Sequence, residues 1–249
     1  MAVAALVALA TVLRFAPMRL AVLADVHADV HALRDALAQA ERLGCRQAVC
    51  AGDVVGYGRF PEDAVALVFG RNLPSVRGNH DRWAANPSVG DSAAAPLSHD
   101  ALTYLGGLPR VWSKVVEGVR LAMCHGTPTS DMAGIDPGRV TSADVRALLE
   151  ATGADVLIAG HTHAAFVVQD IGGGLIVNPG ALLRAPAAAA PAPVRFHPRR
   201  RVFVEDAQAP RGTFGVLDLP SKKFTLHLAA DGTELPIPLV RTGVVGRWP

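Results

Sequence analysis

Five short stretches of this chain carry side chains suited to divalent metal ions: Asp25-x-His27, Gly52-Asp53, Gly78-Asn79-His80-Asp81, His125 and Gly160-His161-x-His163. Each lies just after a strand-like apolar run. One Asp at such a place means little, because Ser, Asn, Asp and Gly are ordinary turn residues. Five runs that all end in Asp, Asn or His are a different matter. Mixed carboxylate, amide and imidazole donors suit Mn²⁺, Fe²⁺, Ni²⁺, Co²⁺ or Zn²⁺. No thiolate cluster accompanies them, which argues against a structural zinc site. Asp53 is the best framed of the set: a short apolar run ends in Gly52-Asp53, and the Gly-rich turn Val54-Val55-Gly56-Tyr57-Gly58 follows at once.

The elements needed to position these residues are legible in the apolar pattern. Arg19 to Ala24 reads as a buried strand leading to Asp25. Val30, Leu33, Leu37, Ala40 and Leu43 recur at helical spacing, with Gly44 as a C-terminal cap. Gln47 to Ala51 is a second strand, Pro61 opens a second helix, and Leu73 to Val76 suggests a short third strand. This β-α-β-α-β order argues for an α/β protein with its chemistry at the carboxyl ends of strands. Further on, a helix is expected at Ser98 to Leu105, and paired strands at Val111 to Glu117 and Val119 to Cys124. A helix capped by Thr141 or Ser142 runs to Ala151. Strands follow at Val156 to Ala159, Ala165 to Ile171, Leu175 to Val177, Thr213 to Leu219 and Lys222 to Leu228. The tail from Asp231 shows no periodicity.

Composition sets the outer limits. The 249 residues are 50% apolar and 18% charged, with a formal net charge of +2, so neither disorder nor a global basic field is indicated. Three Cys without C-x-x-C spacing fit a reducing, cytoplasmic setting better than a disulfide framework. The apolar run Ala2 to Leu13 is too short to span a bilayer and lacks the basic segment that precedes a signal-peptide core. Residues 1–17 are therefore read as an extension, with Met18 as the expected start of one domain reaching to 249. Within it, 184–211 reads as a long Ala/Pro/Arg-rich insertion or loop.

Taken in order, the five stretches resemble the calcineurin-like metallophosphoesterases, from about Arg19 to Gly180 and again at Thr213 to Leu219. Gly52-Asp53-Val-Val-Gly-Tyr-Gly58, His125-Gly-Thr-Pro128 and Asn178-Pro-Gly180 are similar to the small bacterial and archaeal phosphodiesterase branch. The resemblance implies an α/β fold built as a two-sheet β-sandwich flanked by helices. It implies that Asp25, His27 and His163 hold one metal, that Asn79, His125 and His161 hold the other, and that Asp53 bridges them. By the same resemblance His80 is the general acid or charge stabiliser at the leaving group, and Asp81 orients it. Two such cations can share a hydroxide, lower its pKa and clamp phosphoryl oxygens. The implied activity is hydrolysis of phosphodiester or phosphomonoester bonds of a small phosphorylated substrate. Dinucleoside polyphosphate hydrolysis and a non-catalytic scaffold are the alternatives, although a degenerate scaffold would be expected to lose His80 or some ligands.

Other features read more plainly. His31, His99, His197 and His227 receive no role, and Cys124 reads as a small core residue pointing away from the site. Tyr57 fits a substrate contact or a rim residue equally. Where the family usually has Gly-Asn after Asp25-x-His27, this chain has Ala28-Asp29, which puts a carboxylate near an anionic substrate. The Arg cluster at 195–201 suits a solvated loop better than nucleic acid, since only Phe196 and Phe203 could supply stacking. The insertion leaves a lid or a homo-oligomer contact open. No membrane partner is expected.

Overall fold

Leu20 and Val22 point to one side of the first strand and Ala21 and Leu23 to the other, and all four are buried. That strand must be covered on both faces, and the rest of the architecture does this. The computed structural model describes residues 18–90, 96–184, 194–197, 202–205 and 212–243. Its first half contains β1 (Met18–Leu23), α1 (Val30–Arg42), β2 (Cys45–Cys50), α2 (Pro61–Gly70), α3 (Asn79–Ala85), α4 (His99–Gly107), β3 (Val111–Val116) and β4 (Val119–Cys124). There follow α5 (Ser142–Thr152), β5 (Val156–Ile158), β6 (Ala165–Asp170), β7 (Leu175–Pro179), β8 (Val194–His197) and β9 (Val202–Glu205). The chain then forms β10 (Thr213–Leu219), β11 (Lys223–Leu228), β12 (Glu234–Leu235) and β13 (Leu239–Thr242).

Two sheets form a sandwich, ordered β12-β11-β10-β1-β2 and β13-β6-β7-β5-β4-β3. Leu20, Val22 and Leu217 of the first meet Leu121, Met123, Ile158 and Val177 of the second in the interior. The outer face of the first sheet, with Ala21 and Leu23, is covered by Leu33 and Leu37 of α1, Val65 and Val68 of α2 and Leu105 of α4. The outer face of the second, with Cys124, Leu157 and Phe166, is covered by Val145 and Leu149 of α5. The expected sandwich flanked by helices is therefore present. β1 runs parallel to β2, and β4, β5 and β7 run parallel to one another, so their carboxyl ends lie along common edges.

Four local expectations change. Leu73 to Val76 makes only a single bridge, between Cys50 and Ser75, because Pro74 and the turn before it leave no room for a ladder. α3 was hidden because its seven residues carry Asn, His, Asp and Arg rather than an apolar stripe. The tail from Asp231 contributes β12 and β13, each borrowing its order from a neighbouring strand. The segment expected as a loop at 184–211 contains the antiparallel pair β8–β9. The N-terminal residues 1–17 and most of the Arg cluster lie outside the described residues. No helix among the described residues is long and apolar enough to cross a membrane.

Candidate metal centre

The site is assembled where the two sheets touch at their carboxyl ends. After β1 the chain crosses to the loop after β2: Asp25 N donates to Gly52 O, His27 N to Asp53 O and Ala28 N to Val54 O. After β5, Gly160 N donates to His125 O, joining the loops that carry His161 and His125. A Cβ on Gly160 would stand 3.0 Å from Ala24 Cβ and 3.1 Å from Asp25 Oδ2, so any larger residue would have to press its neighbours aside where the sheets close. Asn178 fastens the same loop: its amide donates to Gly160 O (2.8 Å) and Thr162 Oγ1 (3.2 Å). The Asn178-Pro-Gly180 motif is thus a brace for His161.

These close crossings force unusual backbone. Asp25 (φ 53°), His27 (48°), Asp53 (53°), His161 (69°) and His163 (56°) are all left-handed, although none is glycine. Each such residue costs on the order of 1 kcal/mol relative to ordinary backbone. Five of the seven expected ligands share this strain, and the sequence offers no signal of it.

The seven expected ligands do come together. His27 Nε2 lies 2.9 Å from His163 Nε2, and Asp25 Oδ1 lies 3.9 Å from the first and 3.6 Å from the second. On the other side, Asn79 Oδ1 is 3.1 Å from both His125 Nε2 and His161 Nδ1. Asp53 stands between: its Oδ2 is 3.7 Å from His27 Nε2 and 3.3 Å from His125 Nε2. Tautomers are set from behind. His125 Nδ1 faces Ala51 O at 2.8 Å and His27 Nδ1 faces Val55 O at 3.3 Å, which leaves both Nε2 lone pairs for the site.

Electrostatics show what this arrangement lacks when it has only protons. Burial raises Asp25 to about 8, with His125 opposing and Asp53 reinforcing the shift. Burial also resists ionisation of Asp53, yet His125 and the other imidazoles hold it well below the usual carboxylate range. His125 is pushed up to about 10, because the Asp53 carboxylate outweighs the effect of its burial. Burial takes His27 well below its ordinary value and His163 down to about 4. Facing imidazole lone pairs and buried carboxylates need a cation or a proton between them. The donors, 2.9 to 3.9 Å apart, are of the kinds that bind divalent cations. Asp25, His27 and His163 form one candidate ligand group, and Asp25, Asp53 and His125 another.

Asp81 departs from its expected role. Asp81 does not orient His80 directly. Its carboxylate accepts from Gly78 N (2.9 Å) and Val55 N (3.1 Å), so it ties the start of α3 to the turn after Asp53. His80 N donates to Asp53 Oδ1 (2.9 Å), its Nε2 meets the Tyr57 hydroxyl (3.2 Å), and its Nδ1 is buried without a partner among the described residues. The carboxylate of Asp29 is not free to face substrate: it caps α1 by accepting from Ala32 N (2.9 Å) and also accepts from Arg184 N (3.0 Å). Cys124 and His227 are buried, and His31 and His99 are exposed on helices. Sequence reasoning missed the Arg82–Asp131 ion pair (2.6 Å), which joins α3 to the loop after His125.

A two-sheet α/β sandwich with Asp, Asn and His donors gathered at its strand ends defines a metal-site architecture, and comparison with known proteins assigns its family. The calcineurin-like phosphoesterase superfamily domain matches residues 18–197, and the chain belongs to this superfamily. It is 27% identical over 170 residues, 63% of this chain and 67% of the relative, to the uncharacterized protein MJ0912 of Methanocaldococcus jannaschii. Its fold is similar to a metallophosphoesterase from Sphaerobacter thermophilus (TM-score 0.61, 23% identity, 89% of each chain). It is also similar to the hypothetical protein PH1004 of Pyrococcus horikoshii (TM-score 0.64, 19% identity, 84% of this chain and 86% of that one).

Proposed function

We propose that this protein is a metal-dependent phosphoesterase that hydrolyses a phosphodiester or phosphomonoester bond of a small phosphorylated substrate. The observation that carries the reading is the pair of donor sets sharing Asp53. Asp25, His27, His163 and Asp53 would hold one divalent cation, and Asn79, His125, His161 and Asp53 the other. When bound, the two cations supply Lewis-acid charge that activates water and neutralises phosphoryl oxygens. The chain supplies the rest. Ala51 O and Val55 O keep His125 and His27 in the tautomers that ligate. Asp81 holds the Gly78 turn, so Asn79 and His80 leave α3 at fixed positions. His80 would give a proton to, or stabilise charge on, the departing oxygen. Three free thiols, two of them fully buried, suit a reducing cytoplasm.

The test is hydrolysis of bis-p-nitrophenyl phosphate by the full chain loaded in turn with Mn²⁺, Fe²⁺, Ni²⁺, Co²⁺ and Zn²⁺. Turnover with at least one ion is expected, and Asp53→Asn should lower it by about 100-fold or more. Folded protein without turnover under any ion would sink the reading and leave the scaffold alternative. Comparing diadenosine tetraphosphate with cyclic nucleotides then separates polyphosphate hydrolysis from phosphodiester cleavage.

A further inference from the structure

The two faces of the short helix α3 carry different groups. His80 and Trp83, one turn apart, lie on one face with ring centroids 4.8 Å from each other. Asn79 and Arg82 have the same spacing and so share another face. Asn79 Oδ1 meets His125 Nε2 and His161 Nδ1, both at 3.1 Å. One turn further on, Arg82 Nε and Nη2 donate to the two carboxylate oxygens of Asp131 at 2.6 and 3.1 Å. Both side chains of this two-pronged pair are partly buried, the setting in which an Arg–carboxylate pair is strong and directional.

Asp131 belongs to the loop that leaves His125, and that loop is tightly bonded to itself and to His161. Thr127 and Ser130 exchange both backbone hydrogen bonds. The loop folds back over Gly126, where a Cβ would stand 2.6 Å from Ala133 O and 2.7 Å from Ser130 O. Ser130 Oγ accepts from Met132 N (3.2 Å) and Ala133 N (3.1 Å), which fixes the two residues after Asp131. The Met132 backbone lies against the His161 ring, and a Cβ on Gly134 would stand 3.5 Å from His161 Cδ2. The other polar anchors of α3, Asp81 to Val55 N and His80 N to Asp53 Oδ1, run to the turn after β2 in the first sheet. Among the described residues, only the Arg82–Asp131 pair hydrogen-bonds α3 to residues 126–134.

We propose that Arg82 and Asp131 are positioning residues for a divalent cation held by Asn79, His125 and His161. This rests on the two-cation reading of the centre. An amide oxygen and imidazole lone pairs that face one another at 3.1 Å repel until a cation separates them. The ion pair holds α3 against the His125 loop in spite of that repulsion, so the three donors stay converged. Neither residue touches the ion in this role; Arg82 acts through Asn79, and Asp131 through the loop that packs on His161.

The experiment is calorimetric titration of the metal-free full chain with Mn²⁺. The parent should take up two equivalents, and Asn79→Ala marks the one that depends on the amide. Arg82→Ala, Asp131→Ala and the double variant should each raise the Kd of that equivalent by about 10-fold or more, and leave the other within about twofold. The double variant should be no worse than the poorer single, because one interaction is lost in all three. Charge alone predicts a different pattern: tighter binding in Arg82→Ala, weaker binding in Asp131→Ala, and cancellation in the double variant. That pattern, unchanged Kd values, or equal weakening of both equivalents with a fallen Tm would overturn the proposal. A parent that takes up a single equivalent would overturn it together with the two-cation reading. Two equivalents without turnover of any ester would remove the phosphoesterase reading alone, and the same Kd values would still decide the role of the ion pair. If the alanine variants do not fold, Arg82→Lys keeps the charge without the two-pronged geometry. A Kd raised at least about threefold at the marked equivalent then supports the proposal, and an unchanged one overturns it.

Discussion

Gly78 has no side chain because Asp53 fills the space one would take. A Cβ there would collide with Asp53 Oδ1 and Cγ and with the Asp53 backbone nitrogen. The position has ordinary backbone (φ −86°), so the requirement is for space and not for a left-handed turn. Gly78→Ala should therefore push the carboxylate out of place. The expected cost is about 2–4 kcal/mol in urea unfolding, with loss of bound Mn²⁺ measured on the same sample. Unchanged stability and metal content would mean that Asp53 can move aside freely. The donor residues were readable one by one, because an Asp, Asn or His after an apolar run is a local feature. What Asp81 and Tyr57 do was not readable. Asp81 follows His80 in sequence, yet its carboxylate turns back to Gly78 and across to Val55, 26 residues away. Tyr57 reaches His80 over 23 residues, a contact that no local pattern encodes.

Among the elements, α1 shows how a residue can be recognised and its role misjudged. Asp29 stands out as a charge beside an anionic site, but the folded chain uses it as the N-cap of α1 and as an anchor for Arg184. Arg184 Nη1 also pairs with Asp35 on the same helix at 2.7 Å. The base of the insertion is thereby tied to α1, and Leu183 N donates to Asp25 O right beside it. Asp29→Ala should cost about 1–2 kcal/mol in thermal or denaturant unfolding through the lost cap. It should leave KM for a phosphodiester within about twofold, because the carboxylate is already engaged. A large change in KM with unchanged stability would restore the view that it faces substrate. Helices and strands with a clear apolar period were legible to within a few residues. α3, β12 and β13 were not, because their order comes from partners and not from their own pattern.

At the scale of the whole molecule, the site places buried charge where two sheets meet, and this makes stability depend on what fills it. Without cations the centre holds protons, with Asp25 at about 8 and His125 at about 10. A cation binds the deprotonated donors, so binding must release protons where these groups carry them, and affinity should fall as pH drops below about 10 and more steeply below about 8. The sign is clear for Asp25: its raised value means the protonated form dominates at neutral pH, and each proton retained competes with metal. Adding Mn²⁺ at about 100 times its Kd should stabilise the fold by about 2.7 kcal/mol. That gain should shrink between pH 8 and pH 6, read as the difference in Tm with and without metal. A metal effect on Tm that is absent, or that grows as pH falls, would contradict this picture of the centre.

By itself, the amino-acid sequence specifies the kinds of donor and the strand ends that carry them. Apolar periodicity and turn chemistry are local, and Asp25, Asp53, His125 and His161 each follow an apolar run within a few residues. The motifs shared with the family are enough to indicate a two-sheet sandwich as well. Local pattern does not say which donors face one another; the family resemblance groups them, and tertiary structure brings each group together. His27 and His163 meet at 2.9 Å across 136 residues of chain, held in left-handed backbone that non-glycine residues seldom adopt. Tertiary structure likewise decides that Asp29 caps a helix, that Asp81 braces a turn, and that the Tyr57 hydroxyl meets His80 Nε2. A side chain's direction and partner are set by what packs against it, and here those neighbours arrive from distant parts of the sequence.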